Sequence, residues 1–162
     1  MAKRFWDMKT ENATNEPALG ARKAWMGLLA RSEETRLAGL WAAFDRDPAF
    51  EWLRAPQFGG VMVRGRMGST GAPFNLGEMT VTRCALALQD GTVGHGYVQG
   101  RSTQKAEIAA KIDALMQTPV ASALKEAVLR PLEAEQKSLK EHRAAKAAAT
   151  KVEFFTMVRG ED

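Results

Sequence analysis

The chain has 162 residues, of which 45% are hydrophobic and 26% are charged, as in ordinary globular proteins. One cysteine and two histidines exclude an intramolecular disulfide and a Cys-rich or His-rich metal motif, so we expect no metal. The net charge of +4 comes from basic residues spread along the chain without a clustered stripe, which argues against nucleic-acid binding. No apolar run reaches the roughly 20 residues of a membrane span, and the first residues lack the apolar stretch of a signal peptide, so we expect a cytoplasmic protein without membrane contact.

The N-terminal part predicts two helices behind a polar extension. Residues 1–17 are rich in Asn, Thr and Glu, which is typical of a flexible extension. Residues 18–31 place Trp25 and Leu29 on one helical face, and a second helix follows with Ser32 as its expected N-cap. The run from Asp45 to Pro48 ends that helix.

The central part changes to the period of strands. Alternation at 49–54 and, more clearly, at 61–66 predicts strands, and residues 68–77 have the composition of a loop. Residues 79–88 and 92–99 predict two further strands joined at Asp90-Gly91, a dipeptide that favours a type I′ hairpin turn. We therefore expect an antiparallel sheet of three to four strands.

The C-terminal part returns to helices. One helix begins near Ser102, a short one spans about 121–130, and Pro131 suits the first turn of a polar helix over 132–150. An apolar, strand-like tail follows. The fold class is α+β, with N-terminal helices, a central sheet and C-terminal helices that end in this hydrophobic tail. We divide the chain into a flexible extension (1–17), an α+β core domain (18–130), and a C-terminal helical arm with the tail (131–162).

Two arginines precede a glycine-rich turn in the segment 64–71. On a strand Arg64 and Arg66 point to the same face, and the turn through Gly68, Thr70 and Gly71 exposes backbone N–H groups. Guanidinium groups beside free N–H groups suit phosphate or carboxylate. The segment lacks the Gly-Lys-Ser/Thr ending of a P-loop, so an ordinary connection with two solvated arginines is the alternative.

Two further segments carry candidate polar groups. Thr80 and Thr82 share one face of a strand and Arg83 takes the other, although threonine on a strand usually reflects β-propensity alone. Gln99 and Arg101 lie just before a helix, whose N-terminal N–H groups attract anions. These residues are candidates for contact with a ligand or a partner.

His95 is the one candidate for acid–base catalysis. The sequence assigns it no carboxylate that would orient its ring, and a single histidine in a sheet is more often structural. No pair of carboxylates stands out for hydrolysis either. The residues alone therefore predict a cytoplasmic α+β domain with an arginine- and glycine-marked sheet, no self-contained catalytic set, and a tail that favours association.

Four segments form a specific combination: RMGSTG at 66–71, VQGR at 98–101, DALMQ at 113–117 and VEFFTMVRG at 152–160. With them, and with the first helix around Trp25, the chain resembles the G subunit of the bacterial carbon–phosphorus lyase system, the PhnG family. The resemblance covers about residues 21–162. It leaves residues 1–20 as an extension beyond the family core.

The resemblance implies a role in organic phosphonate catabolism. Family members belong to a core complex with H, I and J subunits, of which the I subunit is the expected direct contact. The G, H, I and L proteins together convert ATP and an alkylphosphonate such as methylphosphonate into ribose 1-phosphonate 5-triphosphate by displacing the base from ribose C1′. A radical-SAM iron–sulfur subunit cleaves the carbon–phosphorus bond later. ATP and phosphonate are thus substrates of the complex, and we expect no cofactor bound by this chain.

Within that set the I subunit resembles the main catalyst and the G subunit an essential structural or accessory component. The alternatives are a scaffold without substrate contact, and a stand-alone enzyme on phosphorylated ligands that uses His95. The residues expected to bind an anion or a partner are Arg64, Arg66, Gly68, Thr70, Gly71, Thr80, Thr82, Arg83, Gln99 and Arg101. The residues of the tail expected to dock on a partner are Val152, Phe154, Phe155, Met157 and Val158.

Overall fold

The computed structural model describes residues 4–150 and, within them, the side chains of residues 18–150 other than Ser69. In chain order its elements are α1 (Arg4–Arg31), α2 (Glu34–Phe44), β1 (Phe50–Arg66), a 3-10 turn (Met67–Ser69), β2 (Pro73–Leu88), β3 (Val93–Gln99), α3 (Thr103–Leu115), α4 (Ala121–Leu124), a π-helical turn (Lys125–Leu129) and α5 (Arg130–Ala149). The predicted α+β class is confirmed. The division into three segments stays a prediction.

The two N-terminal helices differ from the prediction at their first residues. The helix α1 begins at Arg4 and not at residue 18. The N-cap of α2 is Glu33 and not Ser32: the Glu33 carboxylate accepts from Thr35 N at 3.0 Å and Arg36 N at 2.8 Å, while Ser32 Oγ donates to Leu29 O. Hydrogen bonds from Thr35 hold the pKa of Glu33 below its ordinary value. A carboxylate therefore takes the capping role that serine commonly fills.

The sheet is a three-stranded antiparallel meander in the order β1-β2-β3. The strands predicted at 49–54 and 61–66 are parts of one 17-residue strand, β1, because β2 pairs with it along nearly its whole length. Half of the predicted loop at 68–77 is also wrong, since β2 begins at Pro73. Register shifts interrupt the pairing between Trp52 and Arg54, between Arg54 and Gln57, and at Val63/Arg64. These irregularities change which residues of β1 share a face.

The hairpin between β2 and β3 turns at Asp90-Gly91, as predicted, but its turn is not type I′. Gly91 is the one residue of this turn with a positive φ, of +84°, whereas type I′ requires two. Gly91 N donates to Leu88 O at 2.9 Å, and the Asp90 carboxylate accepts from Thr92 N at 2.9 Å. This arrangement fits a type I turn followed by a left-handed glycine.

One face of the sheet is covered by α3, which lies directly against β3. A Cβ atom on Gly94 would stand 2.0 Å from Ala110 O, and one on Gly96 would stand 2.1 Å from Ala106 O. Glycine alone lets the two backbones come this close. The largest core side chains around this contact include Leu29, Leu37, Leu86, Val98, Ile112 and Leu124.

The C-terminal helical segments follow one another without a break from Ala121 to Ala149. The predicted short helix over 121–130 consists of α4 and the π-helical turn, and Pro131 lies in the first turn of α5 as expected. Leu132 is buried in the core, whereas residues 137–150 are exposed throughout. Within the described residues, no helix combines the length and apolar character needed to cross a membrane.

A candidate anion-binding cleft on the open face of the sheet

The side of the sheet opposite α3, which we call the open face, carries mostly exposed or half-buried residues within the described part of the chain. Along β3 the residues Gly94, Gly96 and Val98 are buried under α3, so the alternating residues His95 and Tyr97 point to the open face. In the register of the sheet, His95 lies opposite Ala85 and Tyr97 lies opposite Arg83. Arg83, His95 and Tyr97 thus share one surface.

Arg54 of β1 joins this surface because of the register shift between Trp52 and Arg54. Trp52 pairs with Leu86 on the α3 side, but the next pair, Arg54 with Ala85, lies on the open side. Two rows therefore cross the sheet, Arg54–Ala85–His95 and Gln57–Arg83–Tyr97, with neighbouring strands roughly 4.8 Å apart. From these rows Arg54, Arg83, Ala85, His95 and Tyr97, together with Met26 of α1 and Leu53, line a cleft of about 590 Å³. The small Ala85 side chain forms part of its floor.

The cleft is cationic. Its lining, as far as the described side chains go, contains the two guanidinium groups and the imidazole but no Asp or Glu. Among the described residues neither Arg54 nor Arg83 has an ion-pair partner, whereas Arg22, Arg36 and Arg130 each pair with a carboxylate. Exposed guanidinium groups without acidic neighbours suit the oxygen atoms of phosphate or phosphonate. A Tyr hydroxyl and a His N–H add further hydrogen-bond donors.

His95 is positioned through its backbone. Its N–H donates to Asp113 Oδ2 at 2.9 Å, and Asp113 is fully buried on α3. No carboxylate lines the cleft beside its imidazole, so the described lining lacks the group that orients a catalytic histidine. Among the side chains that the structure describes, no three His, Cys, Asp or Glu residues come together as ligands of a metal.

Arg64 and Arg66 lie away from the cleft, near the tip of the long β1–β2 hairpin. Both are exposed, and Arg66 Nη1 donates to Gly71 O at 3.0 Å, which closes its own turn. Gly68 has a φ of +56°, and a Cβ on Gly71 would stand 2.8 Å from Met67 O. The two glycines are required by the backbone of the turn. Thr70 ends the 3-10 turn and is exposed.

Two of the predicted site residues near the β3–α3 connection, Thr82 and Thr80, make hydrogen bonds that hold this connection in place. Thr82 is fully buried, and its hydroxyl donates to Gly100 O at 2.7 Å and accepts from Ser102 N at 3.1 Å. Thr80 is half-buried, and its carbonyl accepts from Gly100 N at 2.9 Å. Gln99 and Arg101 are exposed on either side of this turn. Among the predicted site residues, the structure therefore brings together Arg83 and His95 alone in the cleft.

Sequence reasoning missed Arg54, Tyr97 and Met26. Tyr97 had a readable signal, because it alternates with Gly96 and Val98 and follows His95 by two positions. Arg54 had none, since simple alternation places it on the α3 side with Trp52, and the register shift between these two residues reverses that. The predicted docking tail, Val152, Phe154, Phe155, Met157 and Val158, lies outside the described residues.

Comparisons with known proteins agree with the sequence motifs. A family model described as "Phosphonate metabolism protein PhnG" matches residues 20–160. The "Alpha-D-ribose 1-methylphosphonate 5-triphosphate synthase subunit PhnG" of Rhizobium meliloti (strain 1021) is 41% identical over 155 residues, which cover 96% of this chain and 99% of that protein. The match thus extends over the cleft, the long hairpin and the helices. This chain belongs to the PhnG family of phosphonate metabolism proteins.

Proposed function

We propose that this chain is a subunit of a ribose 1-phosphonate 5-triphosphate synthase and that its cationic cleft holds a phosphate or phosphonate group of the substrates. The overall reaction joins ATP and an alkylphosphonate, with loss of the base from ribose C1′. The synthase name of the Rhizobium meliloti relative supports the subunit role. The observation that carries the proposal is that Arg54 and Arg83 lie beside His95 and Tyr97 in one cleft, and that among the described residues neither guanidinium group has an ion-pair partner and no carboxylate lines the cleft.

The chemistry of this reaction explains why such a cleft is useful. A phosphonate oxygen forms a bond to C1′ while the bond from C1′ to the base nitrogen breaks and the base takes up a proton. The attacking phosphonate and the triphosphate are both anions, so bringing them together is opposed by their charges. Arg54 and Arg83 oppose that repulsion, because a guanidinium group binds two oxygen atoms of one phosphoryl group in a bidentate manner.

The reaction also needs groups that this cleft does not supply. Among the described residues, the lining offers no carboxylate to act with His95 in protonating the leaving base. We therefore place catalysis on partner subunits. The partners in this proposal are the H, I and J subunits of the carbon–phosphorus lyase core complex, with the I subunit in direct contact. The complex works in the cytoplasm, and this chain contributes no cofactor of its own.

The test uses the synthase reconstituted from all its subunits, with wild-type chain or with Arg54→Gln or Arg83→Gln. Arg46→Gln is the matched control, because Arg46 is an exposed arginine outside the cleft. Release of adenine from ATP with methylphosphonate measures activity, and gel filtration measures assembly. We expect each cleft variant to assemble normally and to lose about tenfold or more in kcat/KM, with Arg46→Gln unchanged.

The outcomes separate the proposal from its alternatives. Full activity of both cleft variants in an assembled complex would favour a scaffold without substrate contact. Turnover by the purified chain alone, abolished by His95→Gln, would favour a stand-alone enzyme. Failure of the wild-type chain to associate with the other subunits would overturn the subunit role itself.

A further inference from the structure

The distal half of the long hairpin extends past the part of the sheet that α3 covers. We call residues 58–66 of β1 and 73–80 of β2 the ribbon. Every residue of the ribbon is exposed or half-buried, whereas the hydrophobic core begins at Val81. A two-stranded ribbon without a packed face is at best marginally stable in water. Its exposed side chains therefore require an explanation beyond the fold of this chain.

One face of the ribbon carries no charge. The register pairs Val61 with Met79, Val63 with Gly77, and Gly65 with Phe74, so these residues share a face. Leu76 joins them, because a Cβ built on Gly65 would touch the Leu76 and Phe74 side chains at 3.8–3.9 Å. Leu76 is 66% exposed and Phe74 is 43% exposed. We define the apolar face by its side chains: Val61, Val63, Phe74, Leu76 and Met79.

The charged residues of the ribbon lie on its opposite face. Met62 pairs with Glu78, and Arg64 pairs with Asn75, on the side that also holds Arg66. Strict segregation of charge to one face is the pattern of a surface that contacts protein on the other. The apolar face is also continuous with the open side of the sheet, since the row Gly59–Val81–Gln99 connects it to the row of Arg83.

The size of the apolar face points to its occupant. Positions 58–66 of β1 rise about 30 Å, and two strands span about 10 Å, so the face offers on the order of 300 Å². A stable interface buries about 800 Å² on each partner. A second copy of this chain that contacts only this face buries too little surface for a stable dimer. A larger chain that also covers the open side of the sheet reaches the required area.

We infer that the apolar face docks an uncharged, apolar surface of a different synthase subunit, which continues over the open face and becomes the second wall of the cationic cleft. This inference rests on the proposed function. It assigns the contact to the side chains of Phe74 and Leu76 at the centre of the face. It also places the bound phosphoryl group between two chains, where water is excluded and Arg54 and Arg83 act more strongly than in open solvent.

The test compares two substitutions of similar exposure on the two faces of the ribbon. Leu76→Asp alters the apolar face, and Met62→Asp alters the opposite face, where Met62 is 51% exposed. Each variant is co-expressed with the other synthase subunits and recovered by an affinity tag on a partner subunit. Thermal unfolding of each purified variant chain shows whether it remains folded. We expect Leu76→Asp to reduce recovery about tenfold or more and Met62→Asp to change it by less than about threefold.

Each other result counts against the inference. Equal recovery of both variants, or equal loss of both, overturns the assignment of the apolar face. A dimer of the isolated chain that Leu76→Asp dissociates, with assembly of the synthase intact, identifies a second copy as the occupant. Full assembly of Leu76→Asp together with improved binding after removal of residues 151–162 identifies the chain's own tail. If the wild-type chain fails to assemble, the proposed function fails with the inference.

Discussion

Arg22 of α1 and Asp113 of α3, 91 positions apart, are joined by two hydrogen bonds: Nη2 to Oδ2 at 2.6 Å and Nε to Oδ1 at 3.1 Å. Asp113 also accepts from Trp25 Nε1 and from the backbone N–H of His95, each at 2.9 Å. One buried carboxylate thus links α1, α3 and β3. Four donors offset the loss of hydration that burial of its charge entails.

Removal of this carboxylate is expected to destabilise the chain strongly. Asp113→Ala leaves the Arg22 guanidinium, the Trp25 N–H and the His95 N–H without their acceptor, and we expect a loss of about 3–5 kcal/mol in the free energy of unfolding. Urea denaturation followed by tryptophan fluorescence measures it. Glu133→Ala, at an exposed position of α5, is the control and should change stability by less than about 0.5 kcal/mol. Equal midpoints for the two variants would contradict the linking role of Asp113.

The close contact between α3 and β3 predicts that replacing glycine by alanine destabilises the chain much more at this contact than elsewhere in the sheet. Gly94→Ala and Gly96→Ala place a methyl group within 2.0 and 2.1 Å of helix carbonyl oxygens, so the helix must move away. We expect a loss of about 3 kcal/mol or more in each case. Gly59→Ala in the same sheet meets nothing within 4 Å and should stay within about 1 kcal/mol of wild type. Thermal unfolding of the three variants tests this, and a stable Gly96→Ala chain would contradict the close approach.

The hydroxyl of Thr82 is expected to matter for stability more than for ligand binding. Thr82→Val keeps the shape but removes the bonds to Gly100 O and Ser102 N, which leaves a buried N–H without a partner. The expected loss is about 1–3 kcal/mol. Thr80→Val, on the same strand and face, is the control, with a change of about 0.5 kcal/mol or less. Calorimetry distinguishes the two, and identical melting temperatures would argue that Thr82 serves a ligand and not the turn.

Cys84 is expected to be unreactive and to make stability depend on alkaline pH. It is buried beneath α3, where burial raises the pKa of its thiol to about 11, and its Sγ lies 3.2 Å from Ala106 O. The folded state therefore binds the proton more tightly than the unfolded state. This contribution to stability is complete below the ordinary thiol pKa near 9 and is lost as the pH rises toward 11.

Two measurements check this behaviour. Reaction with an aromatic disulfide reagent at pH 8 should be much slower for the folded chain than for the chain in denaturant. Between pH 9 and pH 11, wild type should lose more stability than Cys84→Ala, each relative to its own value at pH 8. A thiol that reacts at the rate of a free cysteine would place Cys84 at the surface.

The sequence predicted those parts of the fold that depend on local spacing. The helical face around Leu29, the hairpin at Asp90-Gly91 and the start of a helix near Ser102 all follow from neighbours within a few residues. The extent of β1 did not, because its pairing with β2 and not its own alternation keeps residues 57–60 extended. Strand pairing is a long-range property that single-residue preferences do not encode.

The candidate site also depends on strand pairing, which the sequence alone does not reveal. Arg83 and His95 were singled out from their segments, and the register of β2 and β3 brings them to one face. Arg54 reaches them through the register shift between Trp52 and Arg54, which the alternation of β1 does not reveal. Conversely, Gly68 and Gly71 stood out as ligand-binding glycines, yet the geometry of their own turn already requires glycine at both positions.

The glycine contact beneath β3 also determines how the cleft meets its ligand. His95 and Tyr97 extend from a strand whose other side is fixed against the α3 backbone, so their positions are set before a ligand arrives. Pre-organised groups lose little conformational entropy on binding, whereas Arg54, on an edge strand between two register shifts, must be ordered. The affinity of the cleft for an anion thus depends in part on Gly94 and Gly96, at which a Cβ atom would point toward α3 and away from the cleft.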